Sequence, residues 1–402
     1  MSKSQRIVLF ILLFATMFVF GMAENIKGVS FPLIREEFNA SWEQLGFMVS
    51  MFSIAYVGFC IIAGLFLGRF GIKPSYLLGF ASLCVGLFLV FFMQSFFLAA
   101  AALFVVFASL GFFEIGVNAL AARLFITKAA LLMNVLHSFY GIGAMIGPRA
   151  AGLIVNNTPF GWRHVYVFLI PLALILFISA VFIRFPQDSP EVPKETTDTG
   201  DRVGNGGNSF FDALRSPHVW LLSITLGLAV AVELNSSNWG LLYFWDMYKI
   251  DPSVEGAVFL SAFYLAFTVS RLVCGSLIER IGYIRSLLGL ACIVLAVFLV
   301  CFFLGAKGIY ILPALGFFVA LFWPTLMAVA VVSFGRKAAV YCSAMIVIAG
   351  LFNAAVQFFI GYTNKMFGPA WGYRSSIIYT VLLIIILLLV RVKFTRSADN
   401  NF

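Results

Sequence analysis

The sequence is poor in charge and in the residues on which soluble catalysts depend. Only 11% of its 402 residues are Asp, Glu, Lys or Arg, and only three are His, whereas about a quarter of a soluble domain is charged. It has no Gly-rich loop ending in Lys-Ser/Thr, which argues against ATP as an energy source, and no His/Cys cluster at metal-ligand spacing. No cofactor, no metal and no enzyme chemistry are therefore expected. The six cysteines (Cys60, Cys84, Cys274, Cys292, Cys301, Cys342) lie in or beside apolar stretches. Their spacing suits neither a disulfide framework nor a metal site, so they read as packing residues.

What the chain has instead is apolar length. Apolar residues make up 62% of it and aromatics 17%. A helix needs about 20 residues to cross roughly 30 Å of hydrocarbon with its backbone bonded internally. Twelve runs of that kind centre near 7–33, 44–67, 75–95, 97–122, 131–156 and 164–183, then 218–245, 255–278, 285–305, 308–333, 338–362 and 373–391. The fold expected is all-α and integral to a membrane, with twelve transmembrane helices in two pseudo-symmetric six-helix bundles. The domains are 1–185 and 218–402, joined over 186–217 by a polar Gly-, Asp-, Thr- and Pro-rich stretch that reads as a flexible linker. The N-terminal apolar run is too long for a signal peptide and lacks a small-residue cleavage site, so it reads as the first span.

The net charge of +9 raises nucleic acid as a partner, but its distribution sets orientation instead. With both termini cytoplasmic, most of the 26 Lys and Arg residues fall on the cytoplasmic side, as the positive-inside rule requires. A multi-pass protein of the cell membrane is expected, monomeric, with lipid around it and no nucleic acid bound.

The halves repeat. Gly64-Leu-Phe-Leu-Gly-Arg69-Phe-Gly71-Ile-Lys73 recurs as Gly275-Ser-Leu-Ile-Glu279-Arg280-Ile-Gly282, and Gly152 with Trp162 recurs as Gly361 with Trp371. Duplicated six-span units are the mark of transporters whose substrate site lies between the halves near mid-membrane. These loops, with Gly161-Trp162-Arg163, resemble the hallmarks of the major facilitator superfamily over nearly the whole chain. The resemblance implies alternating access and loops that act as charge-based latches through Gly64, Arg69, Gly71, Glu279, Arg280 and Gly282. The acidic position of the first loop is Gly68, which weakens that latch.

A narrower resemblance rests on Gly111-Phe-Phe-Glu114-Ile-Gly-Val-Asn118, on Asn134-Val-Leu-His137 running to Gly143-Ala-Met-Ile-Gly147-Pro148, on Val232-Glu233-Leu-Asn235-Ser-Ser-Asn238-Trp239 and on Phe322-Trp323-Pro324-Thr325. Together these are similar to the fucose permease branch, whose members include proton-coupled sugar symporters. Glu114 stands at the acidic position which that branch uses for proton coupling and sugar binding.

The buried polar residues also speak for themselves. A charged side chain at the centre of a spanning helix costs about 2.5–3.5 kcal/mol on insertion scales, so it faces a cavity or a partner. Glu114 and Asn118 are one turn apart on one helix face. A carboxylate withdrawn from water favours its neutral form and can take up and release a proton near neutral pH. Glu24 and Lys27, three residues apart, can pair along the first span, and both are candidates for coupling or substrate contact. Glu233, Asn235, Asn238 and Trp239 gather in the seventh span, where an indole can stack on a sugar ring while amides meet hydroxyls; the alternative for Trp239 is the interfacial aromatic belt. Asn353, Gln357 and Trp323 are candidates for the cavity wall. His137 is a candidate proton relay, and Arg149 is expected to pair with Glu114 or another carboxylate. Arg271 is expected near the cytoplasmic end of the eighth span, free to snorkel outward.

The function expected is proton-coupled uptake of a monosaccharide or similar small polar solute. Gly143-x-x-x-Gly147-Pro148 also resembles a motif of drug–proton antiporters, which keeps export of amphipathic compounds open, and a non-transporting sensor on the same fold is the third alternative.

Overall fold

The structure is a computed structural model that describes residues 3–125, 129–159, 161–186 and 206–398. All regular secondary structure among the described residues is helical. Twelve helices are long and apolar enough to span a membrane: Ser4–Glu37, Trp42–Phe70, Ile72–Phe92, Phe96–Leu124, Val135–Asn157 and Trp162–Phe182, then Pro217–Asn238, Glu255–Val273, Tyr283–Tyr310, Pro313–Phe334, Val340–Phe367 and Pro369–Lys393. Their outer faces carry large apolar side chains in the open, such as Phe303 at 91% exposure and Phe182 at 81%. Water would not tolerate so much apolar surface, and lipid does.

The chain alternates between two faces. The near face holds the start of the first span, Gly71 and Gly282; the far face holds Glu37, Ser95 and Tyr248. Both near-face glycines end a helix at positive φ, 86° for Gly71 and 94° for Gly282, a backbone that side chains rarely adopt. Lys73, just after the first of these turns, donates from Nζ to the carbonyls of Val181 (2.6 Å) and Ile183 (3.0 Å) and so closes the near-face end of the sixth span.

Within the first bundle, glycine lets helix backbones touch. A Cβ at Gly21 would strike the carbonyl of Tyr140, and one at Gly143 would strike that of Phe18. Gly147 meets Met22 in the same seam. The Gly143-x-x-x-Gly147 stripe thus packs the fifth span on the first, and the fifth-span helix Ala129–Asn157 runs unbroken through Pro148.

The bundles meet along two helix pairs, the second with the eleventh span and the fifth with the eighth. Gly46 lies against Gly361, and Gly152 against Ser253 and Ala257, all towards the far face. Arg35–Asp246 (3.6 Å) and Glu43–Lys365 (2.8 Å) cross the same end. Further inward, the Ser50 hydroxyl donates to the carbonyl of Ala354 (2.8 Å).

Three spans break where they pass mid-membrane. The first divides into Lys3–Asn25 and Lys27–Glu37, the seventh into Pro217–Asn238 and Gly240–Tyr248, and the tenth into Pro313–Val319 and Phe322–Phe334. The first and seventh are equivalent positions in the two halves, and the interruptions are slight, since Ile26 (φ −62°, ψ −21°) and Trp239 (φ −110°, ψ −18°) stay in the right-handed helical region. The linker departs in part from the flexible stretch expected. Gly206–Arg215 is a helix whose Ala213 packs with Val219, Ala344 and Ile348; positions 187–205 lie outside the described residues.

Candidate functional site

A cavity of about 560 Å³ lies between the bundles. It reaches from Lys27 and Asn238 in the middle of the molecule to Gly275, Glu279 and Tyr283 at near-face helix ends. Towards the far face the cross-bundle contacts close it. Besides Glu279 at the mouth, three carboxylates (Glu24, Glu114, Glu233) and two cations (Lys27, Arg271) line it, a concentration of charge that placement within spanning helices allows only with partners or a ligand.

The first bundle supplies a hydrogen-bonded set. Glu114 Oε1 accepts from Asn118 Nδ2 at 2.9 Å, and the Tyr56 phenol lies near the same carboxylate. Glu24 Oε2 accepts from the Tyr140 hydroxyl at 2.8 Å, and its other oxygen stands 3.8 Å from Lys27 Nζ, the pair read from the sequence. Lys27 is 4% exposed and its ammonium sits 4.9 Å from the centre of the Phe107 ring, a cation–π contact that offsets part of its desolvation. Glu24 and Lys27 both line the cavity, and Asn25 Nδ2 donates to the Gly21 carbonyl one turn back at 2.9 Å.

The second bundle supplies amides and a guanidinium. Asn353 Nδ2 donates to Ser53 Oγ (3.1 Å) and its Oδ1 accepts from Gln357 Nε2 (3.3 Å). Gln357 Oε1 in turn accepts from Trp239 Nε1 (2.8 Å) and Asn238 Nδ2 (3.3 Å). Arg271 is held by backbone and ring. Its Nε donates to the Ala320 carbonyl at 3.2 Å, and the guanidinium lies 4.2 Å from the Phe267 ring centre. The residue four places after Ala320 is Pro324, which has no N–H to offer that carbonyl. The break in the tenth span thus creates the acceptor that Arg271 fills.

Several expectations need correction. Arg149 is exposed, does not line the cavity and forms no ion pair with Glu114 among the described residues. Its place as the central cation belongs to Arg271, which turns inward rather than snorkelling, because the freed carbonyl and the Phe267 face lie on the cavity side. Trp239 is 1% exposed and outside the cavity wall; its indole neither stacks on open space nor reaches the interface, since Gln357 takes its N–H. Gln357 is fully buried for the same reason. Asn235 is fully buried and bonded to Ser376 of the twelfth span. Asn118 lies behind Glu114 rather than on the wall. Glu24, Lys27, Glu114, His137, Glu233, Asn238, Trp323 and Asn353 do line the cavity.

Of the loop residues, Gly71 and Gly282 make turns. Arg69 is exposed, with its guanidinium 5.3 Å from the Phe70 ring centre, and among the described residues neither Arg69 nor Arg280 forms an ion pair. Glu279 lines the near-face mouth, and Gly64 has open space around its Cα. Sequence reasoning missed Tyr56, Tyr140, Phe107 and Phe267. Each is an aromatic in an aromatic-rich span, and only the spacing Tyr56-x-x-x-Cys60 opposite Gly111, or Tyr140 beside Gly141, singles them out.

A central cavity between two pseudo-repeated six-helix bundles, closed at one end and open at the other, defines a membrane transporter rather than an enzyme. The chain belongs to the Major Facilitator Superfamily, whose family model matches residues 13–349. It is 25% identical to the yeast (Saccharomyces cerevisiae) Bypass of stop codon protein 6 over 65% of this chain and 55% of that protein. To the probable sulfoacetate transporter SauU of Cupriavidus necator it is 29% identical over 42% of this chain and 39% of that one. The chain thus spans about half or less of the length of these two relatives. The L-fucose-proton symporter of Escherichia coli is 21% identical over 94% of this chain and 92% of its own. Among solved structures, FucP in the outward conformation superposes with TM-score 0.66 at 18% identity, and a mutant of the nucleoside transporter NupG with TM-score 0.76 at 11% identity. Each match covers 96% of this chain and 99% of the other. These likenesses establish the fold.

Proposed function

We propose that the protein imports a monosaccharide or similar small polar solute together with protons, with Glu114 as the proton carrier. The observation that carries this reading is a mid-span carboxylate, hydrogen-bonded by Asn118 and beside Tyr56, on the wall of a solute-sized cavity between the two bundles. Proton transfer needs a group that can be charged and neutral in turn, and the neighbouring amide and phenol can serve both forms. Asn238 Oδ1, which has no hydrogen-bond partner among the described residues, can accept from a hydroxyl, and Trp323 offers an apolar face. The alignment with the L-fucose-proton symporter over nearly the full chain supports the same solute class.

With the near face taken as cytoplasmic, following the Lys and Arg distribution, this form is open to the cytoplasm and sealed outside. The protein would sit in the plasma membrane with both termini inside and work as a monomer, since one chain encloses the cavity. Gly143 and Gly147 pack on the first span, so the stripe by itself does not favour export over import. The test is uptake of labelled hexoses, 6-deoxyhexoses and hexuronates into proteoliposomes under an inward proton gradient in sodium-free buffer. Gradient-driven accumulation of one class is expected; an absolute sodium requirement, or proton-driven efflux of lipophilic cations instead, overturns the reading.

A further inference from the structure

The symport reading leaves Arg271 without a task. It lines the cavity wall close to the near-face end of the eighth span, yet it is absent from every ion pair among the described residues. Two contacts fix its plane: Nε on the Ala320 carbonyl freed by Pro324, and the Phe267 ring beneath. A guanidinium has five N–H donors, and the backbone contact uses one, which leaves the paired terminal NH₂ groups. A rigid fork with its outer edge unspent is the geometry that takes a carboxylate in two parallel hydrogen bonds. Lys27, by contrast, is already committed to Glu24.

We infer that the solute carries a carboxylate, which Arg271 binds as a fork, so that the substrate is a monosaccharide acid of the hexuronate type. This rests on the symporter reading and deepens it. The cavity, at about 560 Å³, suits a hexose-sized ring, and the Asn238 side-chain carbonyl oxygen and the Trp323 face remain available for a hydroxyl and a C–H face.

The same geometry gives a coupling mechanism. The charged and titratable groups within Coulombic reach of Arg271 are Glu233 from the seventh span, Glu114 from the fourth, His137 and Tyr140 from the fifth and Tyr264 of its own span. While Glu114 and Glu233 are ionised they compete with an incoming carboxylate for the guanidinium and repel it. Protonating Glu114 removes one competitor, so proton and anion each favour the binding of the other, reciprocally. Charge also balances. The empty carrier holds Glu114 as an anion opposite the Arg271 cation; the loaded carrier holds a neutral Glu114, the cation and the substrate anion. Both forms have the same net charge, so one proton and one monoanionic sugar acid cross electroneutrally, whereas a neutral sugar with one proton would carry a positive charge inward.

The test compares D-galacturonate with D-galactose, which share a ring and differ at the carboxylate. Binding to the purified protein and uptake into proteoliposomes are measured under a fixed inward proton gradient, with and without an inside-negative potassium diffusion potential. Galacturonate is expected to bind at least tenfold more tightly than galactose, and its uptake to change less than twofold with the potential. In Arg271→Gln the preference should collapse to below threefold, and Arg271→Lys should recover part of it. Wild type that favours galactose, or galacturonate uptake driven severalfold by the potential, overturns the inference without needing a variant. Gradient-driven galactose uptake with no galacturonate binding would overturn the acidic substrate while leaving the symporter reading intact; gradient-driven uptake of neither solute overturns the inference, and if the other sugars of the panel also fail, the symporter reading with it.

Discussion

The two six-helix halves share a backbone plan and divide the chemistry. Gly71 and Gly282 make the same turn at φ 86° and 94°, and the first and seventh spans break at equivalent places. Side chains diverge around that plan. Trp162 is 3% exposed and donates to Glu37 Oε2 at 2.6 Å, whereas its counterpart Trp371 is 60% exposed. At the cavity the first half holds Glu114 and Glu24 in hydrogen bonds from Asn118 and Tyr140; the second offers Arg271, pinned by a carbonyl, and Glu233, held among the described residues by charge alone. Duplication keeps what the backbone needs, while proton handling and solute holding are free to separate.

The largest effect should come from the first half. Glu114→Gln keeps the shape and the Asn118 contact but cannot lose a proton, so substrate-driven proton movement should fall to background while the protein stays folded and inserted. Wild-type proton uptake in that variant would move the coupling role across to Glu233. Next in size is the seam that seals the far face. A Cβ at Gly361 would lie 2.6 Å from both the Gly46 Cα and the Trp42 carbonyl, backbone atoms that cannot yield. Gly361→Val should therefore disfavour the far-closed form, lower uptake at least about tenfold, and leave a cysteine introduced on the far side of the cavity open to membrane-impermeant thiol reagents. Unchanged uptake would remove that seam from the cycle.

Tyr140→Phe takes one hydrogen bond from Glu24. A bond to a charged group contributes about 1.5–3 kcal/mol, so solute affinity should weaken by roughly ten- to a hundredfold if Glu24 acts in binding, and stay within about twofold if it serves only Lys27. The smallest effect is expected at the surface. Lys365 in the Glu43 pair is 52% exposed, and such pairs give about 0.2–1 kcal/mol; Lys365→Ala should alter uptake less than about fivefold.

Much of this was legible in the sequence, and the limits have physical causes. Span count, the duplicated loops and the Glu24–Lys27 and Glu114–Asn118 pairs follow from apolar length and helical spacing, which are local properties. Arg149 and Arg271 were misjudged because their surroundings are set across helices: a carbonyl freed by Pro324, far along the chain, decides where Arg271 points. Trp239 has the composition of a sugar platform, but Gln357 from the eleventh span claims its N–H. Tyr56, Tyr140 and Phe267 were hidden because aromatics are common here and only packing shows which ones meet the cavity.

Solute binding measured across pH in sodium-free buffer, for wild type and Glu114→Gln side by side, tests the account most directly. If Glu114 must be protonated for productive binding, wild-type affinity is highest at low pH and falls as pH rises through the titration of that carboxylate. Glutamine stands in for the protonated form, so the variant should lose the part of the pH dependence that Glu114 supplies and bind more tightly than wild type at high pH. Tighter wild-type binding at high pH, or the same pH slope in both proteins, would contradict Glu114 as the proton carrier.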